Sequence, residues 1–168
     1  MARQPQATVR QPTPSFQDIM DTPMSDITPP VPIPAGSYIV MVVGHANEDT
    51  ASTGTKYYVF TLQLQEALED VDGEALEKSL TGMDGTVKRL QDKTIQSDRY
   101  YQTDASLFRL KKFLNDLGIE DTHDDGSPKG AKEALMEVPG RQCMVTVTHR
   151  QGNSGGIFAN VSSTSPLK

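Results

Sequence analysis

"TKYYVFTLQLQ", residues 55–65, alternates with a period of two. Lys56, Tyr58, Phe60, Leu62 and Leu64 fall on one face, and Tyr57, Val59, Thr61, Gln63 and Gln65 on the other, as successive side chains of a strand must. Phe60, Leu62 and Leu64 make the first face the core side, with Lys56 at the strand's open end. Tyr58 is thereby expected inside and Tyr57 outside. An outward ring beside a cation is the material of a binding face. A ring packed under a neighbouring segment is the plainer reading, and the surrounding fold decides between them.

Upstream, residues 37–46 form a nearly continuous apolar run bounded by glycine, which reads as a strand too short to prefer helix. "NEDTASTG", residues 47–54, is a turn. Downstream comes an acidic insert, residues 66–80, with a helical turn around 75–80. A third strand is expected within "GTVKRLQDKTIQSDRYY", residues 85–101. A helix over 104–117 follows, where Leu107, Leu110, Leu114 and Leu117 recur at helical spacing. Thr103 or Asp104 can cap its start and Gly118 ends it. Ser127-Pro128 opens a short helix through Met136. Residues 142–150 alternate again, with Cys143, Val145 and Val147 inward. "QGNSGG" turns the chain into a last strand over 157–161, and residues 164–168 are a tail. Three strands, a helix and two strands are the order of the five-stranded Greek-key barrel called the OB-fold. The expected class is mainly β (α+β): an OB-like barrel domain over 35–163, with its helix between strands three and four.

Residues 1–34 are of another kind. They hold eight of the eleven prolines, and proline removes backbone donors and fixes φ. An extended arm is expected there, with Phe16, Ile19 and Met20 at helical spacing as anchors for another subunit or another protein. Residues 1–10 lack the apolar core of a signal peptide, and no apolar run reaches membrane-span length. The single cysteine, Cys143, excludes an internal disulfide and fits a reducing compartment. The expected location is a cell's cytoplasm, or a particle assembled inside it.

The net charge of −6 hides two signs. Glu66, Glu69, Asp70, Asp72, Glu74 and Glu77 crowd the insert without a Lys or Arg between them, while no acid follows Glu137. Lys88, Arg89, Lys93, Arg99, Arg109, Lys111 and Lys112 outnumber Asp92, Asp98 and Asp104 in residues 86–112. Local sign, more than the sum, sets what a surface attracts.

No catalytic set stands out. His45, His123 and His149 lack metal-ligand spacing with Cys143. There is no phosphate-binding GxxxxGK[ST] loop and no GxSxG elbow. The Asp-rich "DVDG" and "DDG" stretches do not continue into a calcium loop. The reading is therefore a non-enzyme, with no metal, no cofactor and no small-molecule substrate.

"IPAGSYIVMVV", "TGTKYYVFTLQL", "LFRLKKFLNDLGI" and "VPGRQCMVTVTHRQGNSGGIFANV" together resemble a group of bacteriophage proteins described as single-stranded-DNA-binding or OB-fold proteins. The resemblance spans residues 33–161 and is one of pattern. Its most specific piece is the Leu-Gly-Ile helix end followed by Gly-Arg before a β-hairpin. It implies an OB-fold and binding of single strands in phage replication or recombination, in the host cytoplasm. The chain departs from bacterial single-strand binders by ending Ser165-Pro166-Leu167-Lys168 without an acidic tail, so recruitment through such a tail does not carry over.

Single-strand binding needs cations along the phosphates and flat rings for bases. The candidates are Lys56 with Tyr57, Lys88 and Arg89, Arg99 with Tyr100 and Tyr101, and Arg150 with Phe158. The rival from another class is a virion structural protein, a capsid-decoration or head-stabilising subunit attached through the Pro-rich arm. Deleting the arm would spare strand affinity in the first case and abolish shell attachment in the second.

Overall fold

The computed structural model describes residues 20–27, 30–153 and 155–167. The chain divides into two units, Met1–Pro30 and Val31–Lys168. In the first, Met24–Asp26 makes one 3-10 turn with no buried residue. Met20 is exposed, whereas Phe16 and Ile19 lie outside the described residues. The second unit begins before the boundary expected at residue 35. Ile33 is buried in its core, and the Tyr38 hydroxyl donates to the Pro34 carbonyl at 2.7 Å.

This unit is mainly β. Its strands are β1 (Gly36–Thr50), β2 (Lys56–Ala67), β3 (Thr94–Gln96), β4 (Tyr100–Tyr101), β5 (Gln142–Gln151) and β6 (Ile157–Ser165). Its helices are α1 (Gly73–Leu80), α2 (Asp104–Asp116) and α3 (Ala131–Met136). All strand pairs are antiparallel, in the order β3-β2-β1-β5-β6, with β4 also on β2. The five-stranded barrel is corrected on two points. The third strand is split into β3 and β4, because the Ser97 hydroxyl between them accepts the Phe60 N–H that a ladder carbonyl would otherwise take. The end strands β3 and β6 touch but share no ladder, so the six-stranded sheet does not close into a barrel.

β1 organises the sheet. Tyr38 to Val43 pairs with β2 on one edge, and Gly36 to Met41 pairs with β5 on the other. Beyond Val43 the register with β2 shifts, and Gly44 sits in the break at φ 73°, a conformation that favours glycine. After the bulge β1 runs on to Thr50, four residues past the expected end. The turn is then closed by the Ala51 N–H on the Thr55 carbonyl.

Alternation on the strands delivers Tyr38, Val40, Val42, Phe60, Leu62, Leu64, Cys143, Val145 and Val147 to one face, all at 1% exposure or less. Helix α2 covers that face with Leu110, Phe113 and Leu114, followed by Leu117 and Ile119. Leu107 departs from the expected stripe and is 51% exposed. It borders two clefts beside α3, so its side chain faces open space and not the packed sheet. Phe113 fills the centre instead, 4.9 Å from the Phe60 ring and stacked at 5.3 Å on Tyr100.

Polar fastenings hold the periphery. Ser37 donates its N–H and hydroxyl to the two oxygens of Asp70 at 2.9 and 2.8 Å, tying the acidic insert to the start of β1. Those two hydrogen bonds, the backbone one first, hold the Asp70 carboxyl below its usual range. Asp72 then caps α1 through the Glu74 and Ala75 N–H groups. At the far end the expected tail is strand as far as Ser165. Thr164 donates to Asp116 at 2.6 Å, and Lys112 bridges the Asp116 carboxylate and the Thr164 carbonyl.

Candidate nucleic-acid interface

The adjacent tyrosines of β2 and β4 are shared between the two faces of the sheet. Tyr58 pairs with Tyr100 and Tyr57 with Tyr101. Tyr58 is partly buried and packs on the core, while Tyr100 is buried within it. Burial, with Cys143 and Asp116 as lesser causes, raises the Tyr100 phenol above its ordinary pKa. Tyr100 was expected to offer a ring to a strand. It is core instead, because β4's register with β2 turns it inward.

Tyr57 lies on the opposite face, as its alternation requires, yet it is not open to solvent. Its exposure is 7%, which corrects the expectation of an uncovered ring. The Arg99 guanidinium lies over it at 4.8 Å, and Tyr101 leans against it at 5.5 Å and 59°. Its hydroxyl points to Asp49, 3.4 Å away. Tyr101 is half-buried and Arg99 is exposed. Lys56 is exposed and meets Glu48 at 3.6 Å, and Glu48 also accepts from the Gln102 amide. The sequence reading missed both acids, having placed them in a turn. The signal was their register, since Glu48 and Asp49 pair with Tyr58 and Tyr57 across the hairpin.

The second cluster stands on the β5–β6 hairpin. Arg150 is directly opposite Phe158, so the two side chains share a face. Phe158 is 57% exposed. Its ring leans on Gly152, where any Cβ would collide with it, so glycine there makes room for the ring. No carboxylate side chain occurs from Val138 onward, and among the described residues neither Arg150 nor Arg99 has an ion-pair partner. Val147, just before this cluster, pairs with Gly36, the first residue of β1, whereas Asp49 beside Tyr57 lies near its last. The two clusters thus stand at opposite ends of β1.

Lys88 and Arg89 join neither group. Lys88 donates its N–H to the Leu80 carbonyl at the end of α1, and Arg89 pairs with Asp92 at 3.0 Å. The chain that follows binds Gln63 and Gln65, far along β2 from Tyr57. The two clefts flanking Leu107, of about 280 and 250 Å³, are lined mainly by α2 and α3. Of the candidate binding residues only Tyr101 reaches them, and of the rim cations Lys111 and Lys129 are paired with Asp121 and Glu137 while Lys132 has no ion-pair partner among the described residues. Among the described residues no three His, Cys, Asp or Glu side chains are grouped to hold a metal, and no helix is long and apolar enough to cross a membrane. No protein-family model matches the chain, and no curated protein matches it.

Proposed function

We propose that this is a non-catalytic OB-type module that binds single-stranded DNA, in keeping with the resemblance to phage proteins of that kind. The strand order supports the OB reading: β1 is flanked by β2 and β5, the helix precedes β5, and the end strands touch without joining. OB-folds are partly open barrels that bind strands with their second and third strands and the loops between strands one and two and strands four and five. Here those two loops are the β1–β2 and β5–β6 hairpins, which carry the two clusters.

The observation that carries the reading is the exposed Phe158 opposite Arg150 on a hairpin without acids. Apart from its contact with Gly152, this ring is open to water, which costs solubility. Beside a guanidinium with no ion-pair partner among the described residues it supplies a stacking surface and a phosphate contact together. The acidic insert, fastened through Asp70, would repel phosphates and keeps the strand off that flank.

Titration of labelled oligo-dT and of duplex DNA at two salt concentrations tests the reading. Binding of oligo-dT in preference to duplex, weakening as salt rises, is the expected result. No binding at low salt would remove it and favour the virion-subunit alternative.

A further inference from the structure

The cover over Tyr57 points to a different division of labour at the β1–β2 end, resting on the single-strand reading above. Arg99 precedes β4, so the pairing of Tyr101 with Tyr57 carries its side chain across the Tyr57 ring. The nearest acid in sequence, Asp98, is engaged elsewhere. One of its oxygens accepts the Arg99 backbone N–H at 2.8 Å, and the other pairs with Arg109. The guanidinium therefore has a ring beneath it, no carboxylate partner among the described residues, and an outer side facing solvent. Tyr57 itself is held from two further sides, by Tyr101 and by Asp49.

We propose that Arg99, and not Tyr57, is the stacking element of this site, its outer guanidinium plane receiving an unpaired nucleobase while Tyr57 acts as a positioning residue. Guanidinium planes stack on bases as aromatic rings do. Arg is more weakly hydrated than Lys, whose ammonium is a point charge with no face to offer. A cation laid on a ring is also fixed in tilt, so less freedom is lost when a base arrives. Stacking of this kind accepts any base, whereas a phosphate contact would need charge alone.

The test compares oligo-dT with an abasic strand of equal length, measured by fluorescence anisotropy for the wild type, Arg99→Lys and Tyr57→Leu. The ratio of the two affinities reports base stacking. It is measured within one protein sample, so partial unfolding of a variant cancels from it. The wild type should prefer oligo-dT, and Arg99→Lys should lose about tenfold of that preference with the salt slope unchanged. Tyr57→Leu should lose a comparable share, because the guanidinium then no longer has the ring that holds it in place. If Arg99→Lys keeps the full preference, Arg99 is a plain phosphate contact and the proposal falls. If Tyr57→Leu keeps it, the positioning role falls. A wild type that binds both strands equally overturns the stacking proposal but leaves the single-strand reading standing. A wild type that binds neither overturns both.

Discussion

Tyr100 and Tyr57 are hidden almost equally, at 5% and 7% exposure, on opposite faces of one sheet. Tyr100 is covered chiefly by other rings, Phe113 stacked on it and Phe60 edge-on at 6.0 Å, with the Arg109 guanidinium 5.8 Å from its centroid. Tyr57 is covered by a cation, a tilted tyrosine and a carboxylate. Low exposure therefore has two meanings here. On the core face it marks apolar area removed from water by a helix, which is where stability resides. On the outer face it marks a cover made largely of polar and charged side chains.

The sharpest way to break that contrast is to remove a ring from each side. Phe113→Ala should destabilise the fold by ~3–5 kcal/mol, the cost of a large cavity in a closed core. Tyr101→Ala, on the outer side, should cost well under half of that by the same urea titration. Equal losses would mean that the outer cluster is a second core.

A mostly open ring should behave differently again. Phe158→Ala should weaken oligo-dT binding by ~1–3 kcal/mol and leave the thermal midpoint where it was. A lowered midpoint would show that this ring serves packing. Next in size is the cover itself. Arg99→Ala should cost ~0.5–1 kcal/mol of stability, the worth of an exposed cation–π contact, and urea denaturation can resolve it against Tyr101→Ala.

The smallest expected effect concerns the fastening of the insert. The Asp70 carboxyl is held below its ordinary 3.8 by the Ser37 hydrogen bonds. Its contribution is therefore full above that value and is lost as pH falls through the lower folded one. Asp70→Asn should lower the melting temperature slightly at neutral pH and flatten its fall below pH of about 4, so that the two proteins converge in acid. An unchanged acid limb would mean that Ser37 and Asp70 do not hold the insert.

Periodicity made most of the fold legible. The runs around Tyr38, Phe60 and Val145 announced their inward residues, and Leu110, Leu114 and Leu117 announced the helix face that covers them. The rest depended on partners distant in sequence. Leu107 continues the stripe of α2, but the placing of α3, distant in sequence, decides that clefts and not packed side chains lie against it. Glu48 and Asp49 read as turn residues because the bulge at Gly44, which carries β1 four residues further, has no strong local signature. Tyr57 was assigned to the correct face, but alternation says nothing of what an adjoining strand folds over that face. At the hairpin, Arg150 and Phe158 were legible as candidates, and their pairing followed from a register that only the turn length sets.

Cys143 offers a use that none of these contrasts exhausts. It sits at 0% exposure opposite Val40, where β5 meets the central strand. Burial, reinforced by Asp116 and opposed by Lys112, pushes its thiol up to about 12. Because the thiolate is the reacting form, an alkylating reagent at neutral pH finds almost none of it in the native state. Modification must wait until β5 parts from β1. With no other cysteine in the sequence, the rate at which mass is added becomes a clock for openings of the sheet's centre, read without introducing any label.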